Sequence, residues 1–383
     1  MDVPKQTLEH LSTFNNCHQI PDEWKVSCAN SECTMHQLSP YIGKLKSTIA
    51  KSLISTYSKP GDTVVDPFSG SGTIPLEARL QGRNVFASDI SPYAGLLSRA
   101  KLFSPGSMDE ALAQAEEMFN ESQSVEEPDL EKVPDWVRKF FHGDTLSEAI
   151  RFAEVCKHRK SSDFIFACFL GILHHQRPGF LSYPSSHLVP YLRDKKFPRE
   201  QYPEMYEYRE LRPRLMAKVK RAYKRFSGYP QNVTGVFEES SVASIALPRQ
   251  FECIITSPPY MNALDYGRDN RLRLWFIDPV SAVSVDHNQS QQKKGFELVL
   301  ATLAKKIDKS LTSGGYAVFV VGDEISRSYV SHPSEVVVKI MLENSSFLRL
   351  ENVFTDVIPD IRRSRRDYRG IKSEHFLVFK KVV

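Results

Sequence analysis

Two rhythms of apolar residues alternate along this chain. Short unbroken runs such as Val64-Val65, Val85-Phe86-Ala87 and Cys253-Ile254-Ile255 are closed by polar residues or glycine. Runs of that length and composition predict strands buried on both faces of a parallel sheet. Asn84 to Asp89 and Phe251 to Ile255 are two such strands. Leu311 to Asp323 reads as a turn feeding a third, and Glu374 to Lys380 as another. Elsewhere helical character prevails. Ile49 to Ile54, Ile74 to Leu80, Trp136 to Phe141, Phe164 to Leu173 and Leu272 to Phe276 predict helices, as does the spacing of Leu211, Leu215, Val219 and Ala222. The acidic stretch from Ser107 to Glu131 predicts one helix and a linker, and Gly179 to Pro203, rich in Pro, Tyr and Ser, an ordered loop. Strand, glycine bend, helix and strand in succession from Thr63 to Asp89 make the first unit of a doubly wound α/β sheet.

Ligands gather at the strand ends of such sheets, and three strand ends here carry chemistry. The first is Asp66-Pro67-Phe68-Ser69-Gly70-Ser71-Gly72-Thr73. A Walker loop needs a lysine after its last glycine, and a dinucleotide fingerprint needs a third glycine where Pro75 stands, so neither a nucleoside triphosphate nor a nicotinamide dinucleotide fits. The second is Asp89, placed to accept hydrogen bonds from both hydroxyls of a ribose or, in the plainer reading, to cap the helix near Ser91-Pro92. The third is Thr256-Ser257-Pro258-Pro259-Tyr260. Two prolines stop the ladder and stiffen the exit from the strand. They leave a rigid tip with a hydroxyl, a carbonyl and an aromatic ring, suited to a flat, amine-bearing ring.

Together the first and third motifs resemble the cofactor and catalytic motifs of the N-4/N-6 amino DNA methyltransferases, which use S-adenosylmethionine. The resemblance runs from about residue 41 to 89 and again from about 233 to the C-terminus. It implies a Rossmann-like methyltransferase sheet in two pieces, residues 36–105 and 228–383. Residues 1–35 form an N-terminal extension, and 106–227 an inserted, mainly helical lobe for target recognition. It also implies roles. Asp66, Phe68, Gly70, Gly72 and Thr73 would hold S-adenosylmethionine, with Asp89 on its ribose and Tyr41, in Ser39-Pro40-Tyr41, on the methionine side. Ser257, Pro258, Pro259 and Tyr260 would form the catalytic loop. The family's acid for the cofactor's adenine amine falls on Glu239 or Ser240.

The amine of cytosine or adenine is a poor nucleophile, because its lone pair is delocalised into the ring. Acceptors at its hydrogens, from the Ser257 hydroxyl and the Pro258 carbonyl, localise that pair, and Tyr260 stacks on a base drawn out of the duplex. Within the family, serine at the first position leans towards cytosine N4. Adenine N6 is the nearest rival, followed by an RNA amine and by a nucleic-acid-binding protein without catalysis. DNA is the partner implied, with a cognate restriction endonuclease as a second.

Composition adds limits. The chain has 383 residues, 41% of them hydrophobic, and a formal net charge of only +4, so a nucleic-acid footprint must come from local clusters. One is the cationic helix with Arg209, Arg212, Arg214, Lys218, Lys220, Arg221, Lys224 and Arg225; Arg212, Lys218, Arg221 and Arg225 are assigned to DNA backbone. Another lies near Arg363 and Arg366 before the last strand. Asn262, Asp265 and Tyr266 continue the polar lining after the catalytic loop, whereas Trp275 and Phe276 read as core. Cys28, Cys33 and His36, with Cys17-His18 upstream, are loosely spaced for zinc and read as a chance cluster, so no metal is expected. No run reaches membrane-spanning length and no signal pattern opens the chain, which predicts a cytoplasmic protein.

Overall fold

The computed structural model describes residues 18–25, 31–159, 161–174, 179–182, 197–259, 270–280, 292–325, 330–357 and 370–382. Its strands are β1 (His18–Gln19), β2 (Thr63–Asp66), β3 (Asn84–Asp89), β4 (Gly235–Glu239), β5 (Phe251–Thr256), β6 (Leu311–Ile325), β7 (Val330–Ser331), β8 (Leu348–Val357) and β9 (Gly370–Lys381). They form one sheet in the order β1-β8-β9-β6-β5-β2-β3-β4, with β7 on β6. β9 runs antiparallel to both its neighbours; the path is otherwise parallel.

Alternation along the strands explains why the runs looked unbroken. Val64, Val85, Cys253 and Val318 face α1 (Ser47–Tyr57) and α2 (Thr73–Leu80), through Ile49, Leu53, Ile74 and Ala78. Their neighbours Val65, Phe86, Ile254 and Phe319 face the opposite way. Both faces bury apolar surface, so both positions are apolar.

Between β3 and β4 come α3 (Pro92–Leu102), α4 (Met108–Ser122), α5 (Gly143–His158), α6 (Asp163–Leu170) and α7 (Leu211–Tyr223). α3 starts at Pro92 behind a Ser91 cap, and α4 behind Ser107, whose hydroxyl accepts from the Glu110 N–H at 3.1 Å. The segment expected as an inserted lobe is thus helical. Its core runs on through Leu96, Leu97 and Ala100 of α3 and through Leu272, Leu274 and Phe276 of α8 (Arg271–Ile277). Phe276 belongs to that core as expected, whereas Trp275 is only partly buried against it. Trp136 to Phe141 forms only a turn of helix, Asp135–Arg138. Phe140 and Phe141 then drop into the core before His142 caps α5.

Beyond β5, α9 (Gln292–Ser310) and α10 (Pro333–Asn344) cover the second face of the sheet. The N-terminal extension joins the sheet. β1 pairs with β8, and Trp24 packs 5.6 Å from Phe354 and 5.2 Å from Phe376, centre to centre. Among the described residues, no helix is long and apolar enough to cross a membrane.

Candidate active site

From β2 the chain winds outward through β3 to β4, then returns to the other side of β2 as β5. The loops leaving β2 and β5 part at this switch point, and a crevice opens between them. It is a cavity of about 450 Å³, a size usual for small-molecule sites. Tyr41, Asp66, Phe68, Gly70, Thr73 and Asp89 line it, and so do Ser257 and Pro259. The residues expected from two distant motifs therefore meet at one hollow. Pro258 is buried beside them, and Tyr260 lies outside the described residues.

Gly72 does not line the cavity. Its φ is +70°, and a Cβ there would sit 2.9 Å from the Cα of Ser98 on α3. Glycine is required there by the helix behind the loop. That helix grips the bend elsewhere too. The Ser98 and Ser69 hydroxyls lie 2.9 Å apart, and the buried Lys101 ammonium donates to the Ser71 carbonyl. Burial holds Lys101 well below the usual lysine range.

Two carboxyls face the hollow. Asp89 accepts the Gly70 N–H on one oxygen and the Ser91 N–H on the other, each at 2.9 Å. The helix is capped by Ser91 rather than by Asp89, whose carboxyl keeps lone pairs for further donors. Burial raises its pKa against these donors. Asp66 is buried at the end of β2, and the Thr256 hydroxyl donates to its Oδ1 at 2.7 Å. Burial pushes this carboxyl up to about 7, against the pull of the Thr256 bond. At the tip, Ser257 donates its hydroxyl proton to the Val320 carbonyl of β6 at 3.1 Å. With that proton committed, what Ser257 offers a ligand is acceptance.

The far wall comes from segments less legible in the sequence. Ser240, Ser241 and Val242 line it after β4, with Phe296 and Val299 of α9. Lys306 of α9 donates to the Val242, Ala243 and Ile245 carbonyls, fastening the two segments together. Of the two candidates for the adenine contact, Ser240 lines the cavity. Glu239 instead pairs with Arg99 of α3 at 3.0 Å, and Arg99 also binds Asp163 of α6 at 3.1 Å. The apolar positions Phe296, Val299, Leu300 and Leu303 carry a helical signal for α9; nothing in it marks the first two as lining a site.

The basic helix α7 divides its cations. Lys218 is buried, its ammonium donating to the Gln37 carbonyl, which removes it from the exposed face where it was expected. Burial lowers its pKa to about 8. Arg225 donates to the Glu32 carbonyl at 2.8 Å, and Arg212 pairs with Glu116 at 2.8 Å. Arg221 is exposed, as are Lys220 and Lys224. Arg363, Arg366, Asn262, Asp265, Tyr266, Cys17 and Cys28 lie outside the described residues. His36 is buried with Nε2 2.7 Å from Glu77 of α2.

A mostly parallel sheet reversed between β2 and β5, with one antiparallel strand (β9) between β6 and β8, defines a Rossmann-like methyltransferase fold. Residues 2–97 match the DNA methylase family model of N6/N4 methyltransferases. Type II methyltransferase M.MjaII of Methanocaldococcus jannaschii is 34% identical over 68 residues, 18% of this chain and 13% of that protein. Type II methyltransferase M.BsoBI of Geobacillus stearothermophilus is 34% identical over 76 residues, 20% of this chain and 15% of that protein. The chain thus matches less than a sixth of either relative's length. The crystal structure of TrmN from Thermus thermophilus overlays with a TM-score of 0.36 at 12% identity, over 91% of this chain and 52% of that one, too distant to carry an argument. Residues 2–97 are thus similar to the N-4/N-6 DNA methylases, a family that takes its methyl group from S-adenosylmethionine. The cavity fits that cofactor: carboxyls for its polar groups at two strand ends, and apolar Phe296 and Val299 opposite.

Proposed function

We propose that this protein is a DNA methyltransferase that moves the methyl group of S-adenosylmethionine to an exocyclic base amine, cytosine N4 being the favoured position. The observation that carries the reading is the meeting of the glycine bend and the Ser257-Pro258-Pro259 tip at one cavity, with the Ser257 hydroxyl already committed as a donor to Val320. When bound, S-adenosylmethionine supplies an electrophilic methyl group on a sulfonium centre.

The chain's own residues do the rest by placement. Asp89 accepts the ribose hydroxyls on its remaining lone pairs, and Ser240 stands at the adenine end. Ser257 and the Pro258 carbonyl accept the two hydrogens of the target amine, drawing its nitrogen towards a tetrahedral form. Both acceptors sit on a stiff backbone, so the gain comes from orientation rather than from a covalent step. Tyr260 stacks on the flipped base. Arg221, with Lys220 and Lys224, grips backbone phosphates, as do Arg363 and Arg366. Serine rather than an acid or amide at position 257 favours cytosine.

The test is to incubate the protein with labelled S-adenosylmethionine and either DNA or RNA, and to identify the modified nucleoside by mass spectrometry. N4-methylcytosine in DNA is expected. N6-methyladenine would keep the reaction and correct the base. Label in RNA alone, or in neither polymer, would refute the reading.

A further inference from the structure

The two motifs meet at a single side-chain bond. β2 and β5 are adjacent, with Val65 opposite Ile254, and each ends on a polar residue immediately before its loop. Thr256 Oγ1 donates to Asp66 Oδ1 at 2.7 Å, joining positions 190 residues apart in sequence. Thr256 is 0% exposed and Asp66 2%. The same Oδ1 accepts the Phe68 N–H at 3.4 Å, which brings the glycine bend into the arrangement. Among the described residues Oδ2 makes no hydrogen bond, and Asp66 lines the cavity. One end of this carboxyl therefore belongs to the framework of both loops, and the other is left for a ligand.

We propose that Thr256 is a positioning residue for methyl transfer, the Asp66 carboxyl coupling the seating of a cationic cofactor at Oδ2 to the setting of the catalytic tip through Oδ1. The proposal rests on the methyltransferase reading above and deepens it. Burial, with the charge of Asp89 beside it, pushes the Asp66 carboxyl up to about 7, and Lys44 lines the same cavity. The bend and the near end of β5 add only uncharged groups. A cation arriving at Oδ2 favours the ionised form and expels the proton to solvent. The ionised acceptor then holds the Thr256 hydroxyl about twice as strongly as the neutral one. The tip is set firmly only once the cofactor site is filled, so cofactor binding precedes productive entry of the base.

Two measurements test this. Calorimetric titration with S-adenosylmethionine in buffers of different ionisation heat counts protons: about half a proton leaves per site at pH 7, more at pH 6, and none from Asp66→Asn. In turnover, Thr256→Val lowers kcat at least about tenfold with the cofactor Kd within about threefold, and Thr256→Ser returns kcat to within about threefold of wild type. A purely structural threonine would shift Tm without that split and without rescue by serine. The proposal is overturned if Thr256→Val keeps wild-type kcat, if serine fails to rescue, or if the wild type binds cofactor without releasing a proton. Should Thr256→Val not fold, the proton counts of wild type and Asp66→Asn decide alone, and release persisting in Asp66→Asn overturns it. A wild type that methylates neither DNA nor RNA sinks the functional reading itself. A wild type that methylates as well as Thr256→Val does sinks only the coupling.

Discussion

Gly72→Ala gives the sharpest check on how the glycine bend is built. The residue has φ +70°, and its missing Cβ would lie 2.9 Å from Ser98 Cα. Left-handed backbone costs an alanine about 1–2 kcal/mol. Overpacking adds about 1–3 kcal/mol, because the atom in the way is backbone and cannot rotate aside. Gly61, before β2, is the matched control. Its φ is +89°, yet nothing lies within 4 Å of a Cβ there, so Gly61→Ala meets only the conformational cost. Loss of unfolded-state entropy favours both variants equally and cancels in the comparison. Gly72→Ala should therefore be less stable than Gly61→Ala by about 1–3 kcal/mol. Urea denaturation reads this as a lower midpoint at an unchanged slope. Calorimetry reads it as a Tm lower by a few degrees, since about 2–4 °C per kcal/mol is usual for 150–250 residues and less for a longer chain. Trimming Ser98 to alanine should not rescue, because the clash is with its Cα. Equal losses in the two variants, or rescue by Ser98→Ala, would mean that α3 does not press on the bend as described.

Other predictions follow from single contacts. Ser257→Ala should cut kcat by about tenfold to a hundredfold while S-adenosylmethionine affinity, read by calorimetry, stays within about threefold; loss of cofactor binding instead would place Ser257 in the wrong role. Asp66 binds more protons folded, at about 7, than unfolded, at 3.8, so its contribution to stability is full below pH 4 and is lost as pH rises to 7. Asp66→Asn should accordingly gain on the wild type between pH 5 and pH 8 in urea denaturation, and a gap that does not change would contradict the burial of that charge. On α7, Arg221→Ala should weaken DNA binding and reduce the salt slope by about 0.9, while Lys218→Met should leave the slope alone; fluorescence anisotropy across a salt series separates them.

Much of the fold could be read from local pattern because its strands are buried on both faces. β3 matches Asn84 to Asp89, and β5 runs only one residue past the predicted Ile255. The glycine bend and the Ser257-Pro258-Pro259 tip were readable because each is contiguous and sits at a strand end. What escaped depends on neighbours distant in sequence. The two-residue β1 exists only because β8 supplies a partner and Trp24 an anchor. Lys218 looked like a member of the cationic face, but the turn from Thr34 to Gln37 packs on α7 and takes its ammonium inside. Gly72 was expected among the cofactor residues, and only the position of Ser98 reveals that the helix behind the bend needs the room. Phe296 and Val299 escaped because an apolar cavity wall and an apolar core have the same pattern.

Arg99 bears on whether the helical segment could be exchanged for another. Its guanidinium holds Asp163 from the helical segment and Glu239 from the end of β4, so one side chain of α3 joins that segment to the sheet beside the cavity. A chimera that imports a foreign segment between α3 and β4 would keep this tie only if the graft brings a carboxylate to the place of Asp163. Without it, Arg99 is left with Glu239 alone, and the register of the new segment against the cavity is no longer fixed from that side.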